Sequence, residues 1–401
     1  MPPSPLRLVR WGTMATMRIC LAYDCLYPWT VGGAERWYRG LGERLASEGH
    51  EVTYLTRLQW QDADQPQIPG VRVIAVSGSD ELYGADGNRR IGPPLRFGLG
   101  VLIHLLRHGR SYDVVHLCSF PYFSVLAAAA ARPLGRYRLI VDWFEVWSPE
   151  YWRGYLGPIG GRVGHAVQRL CVRLAPQALC FSRLFSARLV AEGLRGVPRI
   201  VGGLYDGELT PPLARHAEAV VVFAGRHIAE KRAPAVVAAI ARVRERGVDV
   251  RGVIFGDGPQ RSMVLSEIAE LGLEGIVTAP GFVDRAELER VMSDALCLVH
   301  PSSREGYGLV VVEATAHGTP VVLVAGRDNA AVELIEAGVN GIVAPSSEAD
   351  DLADAILAID AAGYALREST CAWFGHNAER LSLARSLEEV VDVYGREIAR
   401  A

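Results

Sequence analysis

Short runs of apolar, often β-branched residues alternate along the chain with longer stretches whose apolar positions recur every three to four residues. Arg18–Tyr23, Glu51–Thr56, Val71–Val76, Asp113–Cys118 and Arg138–Asp142 have strand length. The pattern restarts after residue 215 with Ala219–Gly225, Arg251–Gly256, Ala295–His300 and Pro320–Val324. Most of these runs are unbroken, as in Val220-Val221-Val222-Phe223. Strands apolar on both faces belong to parallel sheets covered by helices. Ala34–Glu48 follows a Gly-Gly pair and stops before Gly49, as a helix does. Pro234–Arg246 carries Pro in its first turn and is followed by Gly247.

The alternation therefore predicts two doubly wound α/β domains. Residues 17–206 form the first and 216–375 the second, parted near Asp206–Arg215, which holds Pro211-Pro212. Residues 376–401 read as a last helix, with Leu387, Val391, Tyr394 and Ile398 on one face. That helix packs on its own domain or crosses back to the first. Residues 1–16 read as a disordered lead-in, with Met17 as an alternative start.

The 401 residues exceed what one core sustains, which agrees with two domains. Half are hydrophobic and 22% charged, which excludes a disordered chain. A formal net charge of -3 gives no basic excess for a nucleic-acid partner. Seven cysteines, odd in number and with no C-x-x-C, read as buried reduced thiols of a cytoplasmic protein. No signal peptide or spanning helix is expected.

Neither half carries G-x-G-x-x-G after its first strand, and G-x-x-x-x-G-K-[ST] is absent, so dinucleotide and P-loop chemistry lose support. The most informative stretch follows strand Ala295–His300 and opens a helix near Gly308. It includes Glu305-Gly306-Tyr307-Gly308-Leu309 and Glu313. Glycines there let a ligand approach the backbone, and the free N–H groups of a helix start suit a phosphate. Glu313 is placed to accept from a ribose diol. After the second half's first strand come Arg226 and Lys231, a planar donor and a point charge that together could neutralise a diphosphate. Each element also has a plainer reading as a turn or a solvated charge. Their recurrence at strand carboxyl ends, where α/β folds bind ligands, favours function.

These motifs resemble those of retaining family-4 glycosyltransferases. The resemblance rests on Glu305-x7-Glu313, which opens with Glu305-Gly306-Tyr307-Gly308, and on Phe223-Ala224-Gly225-Arg226 before Lys231. Gly256-Asp257-Gly258-Pro259, Gly281-Phe282-Val283-Asp284 and Gly32-Gly33-Ala34-Glu35 complete it. It implies a GT-B fold: two facing Rossmann-like domains with a cleft between them. A nucleotide-diphosphate sugar would lie mainly on the second domain and the acceptor on the first. Arg226 and Lys231 would hold the diphosphate, Glu305 the donor sugar and Glu313 the ribose. Tyr307, Gly308 and Leu309 would meet the distal phosphate or sugar through their backbone, Val283 the base, and Gly33 the diphosphate from the opposite side. No metal or other cofactor is implied. His116 stands where the family has a sugar-contacting histidine, although Cys118 replaces the second histidine of the pattern.

The run Asp142–Arg153 holds Trp143, Trp147 and Trp152, with Glu145 between them. Aromatic faces stack on sugars, so Trp143, Glu145 and Trp147 are the candidate acceptor lining; the plainer alternative is a loop anchored by buried rings. A small molecule, a glycan or a lipid-linked acceptor fits equally. A basic stretch with Arg89, Arg90, Arg96, Arg107, His108 and Arg110 reads first as a helix with a core face and a solvated cationic end. Peripheral membrane contact is the less favoured reading. The alternatives to transfer are a GT-B epimerase and a silent nucleotide-sugar-binding subunit.

Overall fold

A computed structural model describes residues 16–61, 64–79, 81–82 and 90–399. The expected lead-in, save residue 16, lies outside them, as does Arg89. The first domain runs β1 (Arg18–Ala22), α1 (Gly33–Ser47), β2 (Glu51–Arg57), β3 (Val71–Ser77), α2 (Gly92–His108), β4 (Val114–Cys118), α3 (Tyr122–Gly135), β5 (Arg138–Trp143), α4 (Pro149–Leu174), β6 (Gln177–Cys180), α5 (Arg183–Ala191) and β7 (Arg199–Ile200). The second runs β8 (Val220–Ala224), α6 (Ala233–Glu245), β9 (Arg251–Phe255), α7 (Arg261–Glu270), β10 (Val277–Gly281), α8 (Arg285–Asp294), β11 (Cys297–His300), β12 (Arg304–Glu305), α9 (Leu309–Ala316), β13 (Val321–Val324), β14 (Asp328–Asn329), β15 (Gly341–Ala344), α10 (Ala349–Leu381) and α11 (Leu383–Ala399).

Each domain is built on one parallel sheet. The strand orders are β3-β2-β1-β4-β5-β6-β7 and β10-β9-β8-β11-β13-β15. Both orders reverse direction beside their first strand, β1 in one and β8 in the other. Sheets of this kind bind ligands beside such a reversal, outside the carboxyl ends of the strands. The continuous apolar runs bury both faces: every residue of β4 and of β8 is buried. All seven cysteines are buried and none forms a disulfide, and burial pushes the thiols of Cys20, Cys171, Cys180 and Cys297 up.

The last helix expected at 376–401 is two elements. Ser382 is extended and parts α10 from α11. The backbone there meets the first domain's exit: Tyr205 donates to Leu381 O and Leu383 donates to Tyr205 O. α11 then lies on α1, with Leu383 and Leu387 over Gly40. The side chain of Ile398 is outside the described residues.

Candidate active site

The loops after β8 and β11 form one cluster in the second domain. Glu305 is buried, and its Oε1 accepts from Lys231 Nζ and, at 2.5 Å, from His300 Nε2. Burial alone would raise this carboxyl, but the Lys231 ammonium and His300 outweigh it and hold Glu305 well below the usual carboxylate range. Ser302 Oγ lies 3.1 Å from the same His300 nitrogen. Ser303 N donates to Glu230 O at 2.9 Å and ties the two loops together.

Gly256-Asp257-Gly258-Pro259 braces this cluster from below. Gly256 has φ +112°, and a Cβ there would sit 2.0 Å from Gly225 O. The two loops touch backbone to backbone, with His227 N donating to Asp257 O at 2.8 Å. Only glycine permits that approach and that φ. Arg226, between Gly225 and His227, is left exposed at the carboxyl end of β8.

Gly308 has φ +92° and caps α9, and a Cβ on it would meet the Ala331 Cβ at 2.5 Å. Leu309 and Val310 follow with amide groups that have no intrahelical partner. Glu313, one turn on, is half-buried; burial raises its carboxyl, with Arg36 and Arg285 opposing. Arg36 Nη1 reaches it at 3.5 Å from the first turn of α1. This contact sets Gly33, the first residue of α1, across from α9. A Cβ on Gly33 would have open space around it. Tyr307 is buried and its hydroxyl donates to Gly202 O at 3.0 Å, so only its backbone is free to serve a ligand. Val283 is half-buried after β10 and packs on the core, beside the exposed Phe282.

The first domain's candidates divide. Trp143 is fully buried in the sheet's core, so it does not line a face for an acceptor. The reason is register: it ends β5 with its ring turned into the helix layer against Tyr122. His116 does not reach a sugar site either. It is fully buried in β4, with Nε2 2.8 Å from Asp142 Oδ1 and Nδ1 2.6 Å from the Tyr394 hydroxyl. Asp142 also accepts from Trp37 Nε1 at 2.7 Å. His116 thus anchors α11 to the first domain and has no surface to offer a sugar.

Glu145 and Trp147 do reach the cleft, where they hold the second domain's Arg304. Arg304 ion-pairs with Glu145, and its guanidinium lies 5.1 Å over the Trp147 ring and 4.6 Å over Tyr151. Trp147 Nε1 donates to Glu145 at 2.7 Å, and the Tyr151 hydroxyl donates to Glu230 at 2.9 Å. Gly306 is needed here, since a Cβ would meet Phe144 O at 2.7 Å. Arg304, Glu230, His300 and Arg36 are the residues that sequence reasoning left out. Arg304 and His300 lay within the Glu305 motif, so their adjacency was the available signal. Nothing local marks Arg36, whose partner is 277 positions away.

Residues 210–367 match the family described as glycosyl transferases group 1, and residues 32–201 match the glycosyl transferase 4-like domain. Glycogen synthase of Mycobacterium tuberculosis is 27% identical over 327 residues, 76% of this chain and 77% of that one. A sucrose-phosphate synthase from Thermosynechococcus elongatus superposes with TM-score 0.77 at 20% identity, covering 96% of this chain and all (100%) of that one. HepE of Anabaena, solved in complex with UDP and glucose, superposes with TM-score 0.70 at 19% identity, covering 94% and 99%. With both family matches falling on the two Rossmann-like sheets in order, the chain belongs to the family-4-like, group 1 glycosyltransferases of GT-B fold.

Proposed function

We propose that this enzyme transfers a sugar from a nucleotide-diphosphate sugar to an acceptor hydroxyl with retention of anomeric configuration. The observation that carries this reading is the buried, ionised Glu305 held by Lys231 and His300 at the cleft, next to the start of α9. An ionised carboxylate at such depth is costly to desolvate, and a fold keeps it where it has work to perform. HepE, a structural relative, was solved with UDP and glucose bound, which supports a donor of this kind.

In this reading the diphosphate lies against Arg226, Lys231 and the first amides of α9. Charge growing on the leaving group is met by two cations already in place. Gly33 leaves room for the same phosphates from the first domain. Glu305 keeps Oε2 for a donor-sugar hydroxyl, and Glu313 takes the ribose. The leaving diphosphate itself accepts the acceptor's proton, so the two carboxylates are not a glycosidase pair. Since arginine and lysine supply the positive charge, the proposed reaction needs no resident metal. The acceptor, a small molecule, glycan or lipid-linked sugar, enters beside Glu145 and Trp147 once Arg304 yields its place there.

Incubation with a panel of nucleotide sugars and acceptors tests this. One pairing should release nucleoside diphosphate and a glycoside whose anomeric proton coupling matches the donor's. An inverted product contradicts retention. Release of an epimerised sugar from donor alone would favour the epimerase reading instead.

A further inference from the structure

The helices on one face of the first sheet carry an apolar surface that faces outward. α2, α3 and α4 pack side by side on that face, burying Phe97, Val101 and Leu105 of α2 and Cys171 and Val172 of α4 against the strands. The expected core face of the basic segment is therefore real. A second apolar stripe lies on the same helices and points away from the sheet. On α2 it is Leu95, Leu99 and Ile103, four residues apart; on α4 it is Ile159, Val163 and Leu170. Leu99 is 57% exposed, Val163 60% and Ile159 76%. Spacings of four and seven keep each set in a single row along its helix. Between the rows runs α3, whose low outer side shows alanine and the exposed Leu134. On the opposite face of the sheet, α1 and α11 expose no large apolar side chain among the described residues.

Charge follows the same division. The sequence holds no aspartate or glutamate between residues 114 and 141, nor between 151 and 191, and none within α2. Exposed Arg107 lies on α2, and exposed Arg162 and Arg173 lie along α4. α1 and α11 mix both signs, as in the Arg39–Glu43 and Arg385–Glu389 pairs. A chain of net charge -3 thus concentrates arginine around its exposed leucine, isoleucine and valine, with few carboxylates, Glu150 beside Arg153 and Glu192 beside Arg169.

We propose that this face docks on an anionic lipid bilayer. The partner has to be negative, because the layer brings almost no carboxylate of its own. It also has to take up two rows of methyl groups spread over a broad surface. The interfacial region of an acidic bilayer meets both demands, with arginines at the headgroups and the apolar rows just beneath them. No helix among the described residues is long and apolar enough to cross a membrane, so the contact is an interfacial seat.

Co-sedimentation of the full chain with vesicles of phosphatidylcholine and phosphatidylglycerol, against vesicles of phosphatidylcholine alone, tests the proposal. The chain should bind the acidic vesicles at least tenfold more tightly and lose most of that binding in half-molar salt. Leu99→Glu with Val163→Glu should weaken binding at least tenfold while the melting temperature and circular dichroism stay unchanged. Met263→Glu, at an exposed apolar site of the second domain, should leave binding intact. Equal binding to both vesicle types, or equal binding by the Leu99/Val163 variant, overturns the proposal. So does a concentration-dependent dimer that these substitutions dissolve while the wild-type chain ignores vesicles.

Discussion

The two sides of the cleft are built differently. The second domain presents a set assembled within itself: Lys231, Glu305 and His300 bond to one another, and Gly256 and Gly258 press one loop on the next. The first domain's groups are held mainly by their partners across the cleft. Glu145 and Trp147 hold Arg304, and Arg36 holds Glu313. Glu333 of the second domain accepts from the amides of Arg183 and Leu184 at 2.8 and 2.7 Å, capping the start of α5. On the proposed function, a donor side complete in itself and an acceptor side held by contacts across the cleft suit a reaction in which one substrate waits for the other.

Substitutions that break the first set should cost the most. Lys231→Ala should lower turnover by about 100-fold or more, the range seen when one preorganised charge donor is lost. It should also destabilise the fold. Glu305 loses its cation while buried, and stranding one member of a buried pair costs about 3–5 kcal/mol. The partial exposure of Lys231, 20% of its side chain, moves the expectation to the lower end. Arg226→Ala should lower turnover to a similar degree with no change in melting temperature, since its side chain is exposed. The contrast between the two variants separates charge on the leaving group from support of the fold.

Breaking the second set should shift binding more than chemistry. Arg304→Ala leaves Glu145 and Glu230 without their shared cation and should alter acceptor KM several-fold while donor binding holds. Glu313→Ala should weaken nucleotide binding by about tenfold, the loss of a charged hydrogen bond of roughly 1.5 kcal/mol. Acidity separates the two carboxylates. The raised carboxyl of Glu313 protonates first as pH falls, so donor affinity should drop while the Glu305 pair is still intact. The sign for stability follows. Glu305, with its carboxyl lowered on folding, contributes stability above the ordinary glutamate pKa that is lost only as pH falls towards its depressed value.

The smallest effect lies farthest from the cleft. Tyr394→Phe removes the hydrogen bond to His116 and should cost about 1 kcal/mol of stability with turnover unchanged. A fall in turnover at constant stability would return His116 to the site.

The sheets were legible because a parallel strand buried on both faces writes itself as an unbroken apolar run. Less was visible where that rule lapses. β10 alternates buried and exposed positions, and β15 is only half-buried, so neither stood out from its loops. The cluster around Glu305 was legible for a related reason: cations and glycines at strand ends have few structural uses there. The aromatic run 142–153 mixed two fates that composition does not separate. Trp143 completes a strand and goes inside, while Trp147 and Tyr151, past the strand's end, face Arg304. His116 was misplaced because a strand-end histidine and a sugar contact look alike until Tyr394, 278 residues away, is seen to cover it. The apolar residues of α2 read first as a core face, because Phe97, Val101 and Leu105 already account for the helical period, and the outer row of α4 carries no basic cluster to mark it in the sequence.

On the proposed function, the second domain reads a diphosphate through Arg226 and Lys231. Calorimetry of uridine and guanosine mono- and diphosphates against the wild-type chain and Arg226→Ala tests it most directly. For one base the diphosphate should bind at least tenfold more tightly than the monophosphate, and Arg226→Ala should remove most of this preference. Equal affinity for mono- and diphosphate, or a preference untouched by the substitution, would contradict it.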